Sequence, residues 1–193
     1  MISPRQLKLQ PALAVVVAII ALQALVLWLL GRVPICTCGY VKLWEGDVLS
    51  SGNSQHIADW YSFTHITHGF VFYFLLRLVR PRWTVAARLV AAVLVESSWE
   101  MLENTDYVIN AYRAETISLN YYGDSIVNSV SDTLFAVIGF GLARLLPAWA
   151  TVACALGTEL YLGWAIHDNL TLNVLMLIHP IPVVKAWQMQ GLP

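Results

Sequence analysis

The sequence predicts an all-α protein, a polytopic membrane helix bundle of five to six transmembrane helices with a cytoplasmic N-terminus. Three observations support this fold class. Hydrophobic residues make up 58% of the chain and charged residues only 12%, which is about half the charged share of soluble domains. Apolar runs long enough to cross a bilayer recur along the chain. Basic residues gather at one set of predicted helix ends, and acidic residues gather at the other.

The apolar runs define six predicted helices within one integral membrane domain that covers residues 1–193. A spanning helix needs about 20 predominantly apolar residues, and the runs lie at residues 12–31, 57–79, 83–104, 124–146, 148–168 and 170–184. The first run is longer than the apolar region of a cleaved signal peptide, about 7–15 residues, so we interpret it as an uncleaved helix. The last contains Pro180 and Pro182, so it is either a broken span or a re-entrant piece.

The orientation follows from the positive-inside rule. With the N-terminus in the cytoplasm, only Arg32, Lys42 and Arg113 lie outside. The remaining basic residues then lie at cytoplasmic helix ends: Arg5, Lys8, Arg77, Arg80, Arg82, Arg88, Arg144 and Lys185. The acidic residues fall in the two outer loops or in the outer halves and middles of helices, so the polar chemistry is expected on the outer side.

Counting along the helices predicts two polar layers. A helix rises about 1.5 Å per residue. Four helices each place one ionisable group about 12–13 Å below the outer surface: His65, Glu96, Asp132 and Glu159. A shallower layer holds Glu100, Asn128, His167 and Asp168. Spacings of i, i+4 also put the polar groups of each helix on one face, so we expect a cup that opens to the periplasm above an apolar floor.

The chemistry of this cup favours a divalent cation or shared protons. One charge at mid-membrane costs about 2.5–3.5 kcal/mol, and few basic residues are available nearby. Carboxylates with two histidines suit zinc or a similar divalent metal. The predicted metal ligands are His65, His68, Glu96, Glu100 and Asp132, and the supporting polar residues are Asp124, Asn128 and Asp168. A hydrogen-bonded structural core and a transport pathway are the alternatives.

These residues lead to three functional hypotheses. In the first, a metal-bound water attacks an ester or phosphoester of a lipid-linked or envelope substrate, with Glu159 or His167 as acid or base. The second is a proton- or cation-coupled transporter, and the third is a non-catalytic scaffold that binds lipid or a partner helix. Membrane lipids are the expected partners. Nucleic-acid binding is not expected, because the chain has no basic patch beyond short loops.

The cysteines predict no disulfide framework. A single residue separates Cys36 from Cys38, and this spacing strains a disulfide. We therefore expect two free or separately paired thiols there, with a redox pair or a soft-metal site as the alternative. Cys154 lies within an apolar helix, where packing is its expected role.

Four motifs resemble an uncharacterised family of bacterial inner-membrane proteins, best known from alphaproteobacteria. They are Ser54–Trp60, His65-x-x-His68-Gly69-Phe70, Tyr121–Asp132 and Asp168–Leu175. The resemblance covers nearly the whole chain and implies a multi-pass inner-membrane protein without an established activity. A more distant similarity is to VanZ-like membrane proteins, in which His65, Glu96, Glu100, Asp124 and Asn128 would match.

Overall fold

A computed structural model describes residues 8–190 and shows eight helices and no strand in that part of the chain. The helices, in order, are α1 Leu9–Leu29, α2 Ser62–Val79, α3 Val85–Glu103, α4 Asp106–Glu115, α5 Ile126–Leu145, α6 Ala148–Ala165, α7 Leu170–Ile178 and α8 Pro182–Gln188. The all-α prediction is therefore confirmed for the described residues. Arg5, which was assigned to the cytoplasmic side, lies outside them.

Two of these helices are long and apolar enough to cross a membrane by length and composition, α1 and α5. The sequence predicts five to six transmembrane helices, and these two candidate spans do not confirm that number. The helices α2 and α3 are also long, but they carry the histidines and carboxylates of the predicted polar layer.

The second helix begins five residues later than predicted, at Ser62. The reason is a turn built by Asp59, whose carboxylate accepts hydrogen bonds from the backbone N–H groups of Ser54 and Tyr61. The side chain of Ser62 in turn accepts from the backbone N–H of Asp59. An aspartate that bonds nearby backbone groups competes with helix formation at that point, so α2 begins only after this turn.

The short helix α4 lies within residues 105–123, which the sequence predicts as a loop. Its apolar face is narrow, with Val108, Ile109 and Tyr112 buried and the other side polar. Asp106 in its first turn and Arg113 in its last turn also suit the helix dipole. A helix this short gives little periodic signal and is stabilised mainly by packing, here against α7.

The C-terminal helices α7 and α8 form a hairpin that packs against the bundle. Gln188 on α8 donates to Asp168 at the start of α7 over 3.0 Å, and the Trp187 and His167 rings lie 5.0 Å apart. Lys185 donates to the backbone of α4. The sequence predicts a cytoplasmic helix end for Lys185 and an outer loop for residues 105–123, and this contact joins the two segments.

The outer loop between α1 and α2 contains a disulfide between Cys36 and Cys38. The expectation of two unpaired thiols is therefore wrong. The alternative of a redox pair accounts for the bond, because the loop brings the two Cα atoms to 5.1 Å, within the usual range for a disulfide. Cys154 is a free thiol and is exposed on α6 rather than packed in the core.

The helices α2 and α5 cross at two glycines. A Cβ on Gly69 would collide with backbone atoms of Ala136 and Phe140, and a Cβ on Gly139 would collide with the carbonyl of Ile66. Small residues at such crossings let two helix backbones approach closely. This approach brings the polar faces of α2 and α5 within reach of each other.

Replacing Gly139 by alanine is expected to destabilise the bundle by about 1–3 kcal/mol, because the added methyl group overpacks a backbone contact. Gly141→Ala on the same helix is the matched control, since no atom lies within 4 Å of the position of its Cβ. The measurement is thermal or denaturant unfolding of the purified protein. Equal stabilities of the two variants would contradict the close crossing.

Candidate functional site

The centre of the site is a carboxylate on α3 held between two histidines on α2. Nδ1 of His65 lies 2.7 Å from one oxygen of Glu96, and Nδ1 of His68 lies 3.1 Å from both of its oxygens. The i, i+3 spacing of the histidines places both rings on the α2 face that meets α3. Glu96 is fully buried, so the two imidazoles are its immediate electrostatic partners.

His65 also faces two further carboxylates. Its Nδ1 lies 3.4 Å from Glu100 on α3, and its Nε2 lies 3.9 Å from Asp132 on α5. Two groups of potential ligand atoms, each with all atoms within 4.8 Å of one another, therefore share this histidine. One contains His68 and Glu96, and the other contains Glu100 and Asp132. The structure thus brings together all five residues that the sequence predicts as metal ligands.

The cluster has an excess of acidic groups. Among residues 8–190, no lysine or arginine forms an ion pair with Glu96, Glu100 or Asp132. Three carboxylates thus face two imidazoles, which together can carry at most two positive charges. Because unpaired buried charge is costly, the cluster must hold at least one further proton or a cation.

A polar chain from α1 supports the back of the cluster, and the sequence analysis missed it. Ser129 donates to Glu100 over 2.6 Å, and Gln23 donates to the Ser129 hydroxyl over 2.8 Å. The hydroxyl of Thr133 completes the chain by donating to the side-chain amide oxygen of Gln23. Gln23 has no exposed surface. The available signal was that Gln23 is the one polar residue within the apolar run of residues 12–31.

One carboxylate oxygen remains without a hydrogen bond. Oε1 of Glu100 is buried and has no hydrogen-bond partner, although it is the atom that faces His65. Asp132, in contrast, accepts from the hydroxyl of Ser62 over 3.2 Å. Buried acceptors without partners are rare in proteins, so this oxygen is a candidate for a ligand or a proton.

A cavity of about 450 Å³ opens beside the cluster, between α2, α3, α4 and α7. Its polar lining includes His65, His68, Glu96, Asp132 and Asp124, together with tyrosines such as Tyr112 and Tyr121. Its apolar lining includes Phe72, Val95, Trp99, Val174, Leu177 and Ile178. The cavity therefore offers both polar and apolar surface, and its described lining contains no lysine or arginine.

The predicted supporting residues hold the outer wall of the site. Asp124 accepts from Asn104 over 2.6 Å and from the Tyr121 hydroxyl over 3.0 Å. Burial raises the pKa of Asp124 to about 6, while these two hydrogen bonds act in the opposite direction. The backbone N–H of Asn128 donates to the hydroxyl of Ser125, the N-cap of α5, and the side-chain amide of Asn128 donates to the backbone carbonyl of His56 in the loop between α1 and α2. These contacts hold the start of α5 in position, and neither Asp124 nor Asn128 belongs to the two groups of potential metal ligands that share His65.

Asp168 ties the C-terminal hairpin to the bundle, away from the histidine cluster. It accepts from the Tyr61 hydroxyl, from Asn173 and from Gln188. Burial raises the pKa of Asp168 to about 6, and its hydrogen bonds lower the pKa in part. The residue therefore links α2, α7 and α8 and closes the cavity on that side.

The two residues predicted as catalytic acid or base lie outside the cavity. The carboxylate of Glu159 accepts from the backbone N–H groups of Leu170 and Thr171, both over 3.0 Å, and so caps α7. His167 has a left-handed backbone, with φ of 54°, and packs on Trp187. Depth along the helix did not predict whether Glu159 reaches the cluster, because its side chain points from α6 toward α7 rather than toward α2.

Comparison with known proteins places the chain among uncharacterised relatives. Residues 26–190 match the family described as "Protein of unknown function (DUF2585)". A UPF0314 protein of Rhizobium johnstonii is 54% identical over 89% of this chain and 88% of its own length. Others from Paracoccus denitrificans and Sinorhizobium fredii are 57% and 58% identical, each over 88% of this chain and over 88% and 86% of their own lengths.

No solved structure matches the chain. The family match and the relatives confirm the resemblance to an uncharacterised, mostly alphaproteobacterial family. The similarity to VanZ-like proteins stays a prediction.

Replacing Gln23 by leucine is expected to lower the free energy of unfolding by about 1–3 kcal/mol, since it leaves the Thr133 hydroxyl without its buried acceptor and removes the donor to the hydroxyl and carbonyl of Ser129. Leu25→Met, at an exposed position of the same helix, is the control and should change little. Unfolding in detergent measures both. A wild-type-like stability of the Gln23 variant would show that the polar chain is not a structural support.

Proposed function

This chain belongs to the DUF2585 family of proteins of unknown function, and we propose that it is a multi-pass bacterial inner-membrane protein that uses a divalent cation to hydrolyse an ester or phosphoester of a lipid-linked substrate. One observation carries the proposal: two potential ligand groups share His65, which lines a cavity with both polar and apolar walls.

The distribution of polar residues supports several membrane spans beyond α1 and α5. Buried polar and charged residues are at least as numerous as buried apolar ones in the described chain. The exposed face of α6, by contrast, is apolar from Trp149 through Leu160 to Trp164, which is 76% exposed. An apolar exterior around a polar interior suits a lipid environment, where intramembrane ionisable groups face the inside of the bundle.

The donor chemistry suits zinc or a similar divalent ion. His65, His68 and Glu96 provide two imidazole nitrogens and one carboxylate, a set that occurs in catalytic zinc sites with one position left for water. Glu100 and Asp132 would adjust the charge and accept hydrogen bonds from the ligands. A divalent cation would also compensate the excess negative charge of the cluster.

The proposed reaction is hydrolysis by a metal-bound water. A metal ion lowers the pKa of its water and polarises a carbonyl or phosphoryl oxygen. With a metal ion held by the histidines, the buried, unpartnered oxygen of Glu100 would serve as the general base, the role that the sequence predicts for Glu159 or His167. A general base of this kind contributes about 10²–10⁴-fold to the rate.

The shape of the cavity supports a lipid-linked substrate. Its apolar lining includes Val95, Val174 and Ile178, which are themselves exposed on the outside of the bundle. An acyl or isoprenoid chain would lie along this wall, with the bond to be cleaved at the histidines. The volume of about 450 Å³ lies within the usual range for small-molecule sites, about 300–1,000 Å³.

A transporter is less well supported. A transport pathway would need polar groups beyond the cluster, toward the opposite ends of α2, α3 and α5. That region instead holds a packed apolar core of Phe70, Tyr73, Ala92, Phe140 and Ala143. This observation favours a site with a closed floor.

Purified full-length protein is expected to contain close to one equivalent of zinc or another divalent metal, and chelation should lower its melting temperature. A ligand that binds only the folded state at about 100 times its Kd adds about 2.7 kcal/mol of stability. Elemental analysis and thermal unfolding with and without chelator are the measurements.

Glu96→Gln and His68→Ala are expected to weaken metal binding at least about tenfold, since outer-shell changes alone cost 10–100-fold. Glu115→Gln and His179→Ala are the matched controls, because neither residue belongs to the cluster. Absence of metal together with an unchanged melting temperature after chelation would contradict the proposal. Metal binding without hydrolysis of any phospholipid or lipid-linked ester would instead favour the scaffold hypothesis.

A further inference from the structure

A second site lies in the loop between α1 and α2, around the disulfide of Cys36 and Cys38. The two sulfurs differ in access, because Cys36 is only 5% exposed whereas Cys38 is exposed. The backbone N–H of Cys38 points at the Cys36 sulfur over 3.1 Å. This donor would stabilise a thiolate at Cys36. A stabilised thiolate is the better leaving group in thiol–disulfide exchange.

The disulfide is not needed to hold the loop in place. Backbone N–H groups of Ile126 and Val127 on α5 donate to the carbonyls of Val33 and Pro34 over 2.8 and 3.2 Å. A disulfide stabilises mainly by closing a long loop in the unfolded chain, and here only one residue separates the cysteines. The bond therefore has little structural value at this position.

The surroundings can accommodate a reacting thiol. A cavity of about 490 Å³ is lined by both cysteines and by residues that include Lys42, Glu45 and His56. A ring nitrogen of His56 lies within 4.8 Å of both sulfurs. Nδ1 of His56 accepts from the backbone N–H of Lys42, and burial lowers the pKa of this histidine. A neutral imidazole at this distance can exchange protons with an incoming thiol.

From this arrangement we propose that Cys36 and Cys38 form a thiol–disulfide exchange site for thiols on the outer side of the membrane, either a protein dithiol or a low-molecular-weight thiol. The site is separate from the histidine cluster and does not depend on hydrolysis.

The exchange proceeds in two balanced steps. An incoming thiolate attacks the exposed sulfur of Cys38, the bond to Cys36 breaks, and its electron pair moves to the Cys36 sulfur. A second thiolate then attacks the partner's sulfur in this mixed disulfide and releases Cys38 as a thiolate. Two partner thiols are oxidised to one disulfide, and the protein's disulfide is reduced to two thiols. With an oxidised partner the same steps run in reverse.

The test uses glutathione with the full-length protein in a Cys154→Ser background, which removes the free thiol of α6. After reduction and addition of oxidised glutathione, the Cys36→Ser variant should accumulate a mixed disulfide at Cys38. The Cys38→Ser variant should react at least about tenfold more slowly, because burial limits access to Cys36. Intact-mass measurement over time gives both rates, and melting temperatures check that each variant is folded.

A second measurement needs no variant at the site. In the protein with both cysteines, reduced glutathione should open the disulfide under native conditions, and oxidised glutathione should restore it without accumulation of the mixed form. Equal rates for the two single variants would overturn the proposal. A disulfide that reacts only after the protein is unfolded would overturn it equally.

Discussion

The burial of three carboxyl groups, those of Glu96, Glu100 and Asp132, against only two histidines is the constraint on which the rest of the structure depends. Two histidines cannot neutralise three carboxylates, so the bundle must supply close partners from several helices at once. His65 contacts all three carboxylates, which requires α2 to lie against both α3 and α5. The glycine crossing of α2 with α5 permits this approach, and α1 closes the back of the cluster with Gln23.

The same constraint relates the interior to the surroundings of the protein. Polar groups occupy much of the interior, and large apolar side chains are exposed on the outside, as on α6. The cavity beside the cluster is lined by the histidines and also by apolar residues such as Val95 and Ile178, which are exposed on the outside of the bundle. A molecule with a polar head and a hydrocarbon chain complements both kinds of lining, whereas an ion on its own would leave the apolar lining unused.

The outer end of the bundle is covered by two elements. On one side, α4 and the hairpin of α7 and α8 close the cavity through Tyr112, Asn173 and Asp168. On the other side, the disulfide loop is held at the start of α5 by backbone hydrogen bonds and lines a second cavity. Asp124 lines both cavities, so the two elements meet at the residue that precedes α5.

The sequence by itself determined the helical class, the five long helices and the residues of the cluster. These properties depend on local spacing, since i, i+4 positions share a helix face whatever the neighbours are. Only the tertiary structure decided that Glu159 caps α7, that α8 returns to Asp168 and that Gln23 supports the site. Helical rise sets the depth of a residue, but the direction of its side chain depends on how each helix is rotated against its neighbours. That rotation is settled by contacts between residues far apart in the chain, such as Gly69 with Gly139 and Gln188 with Asp168.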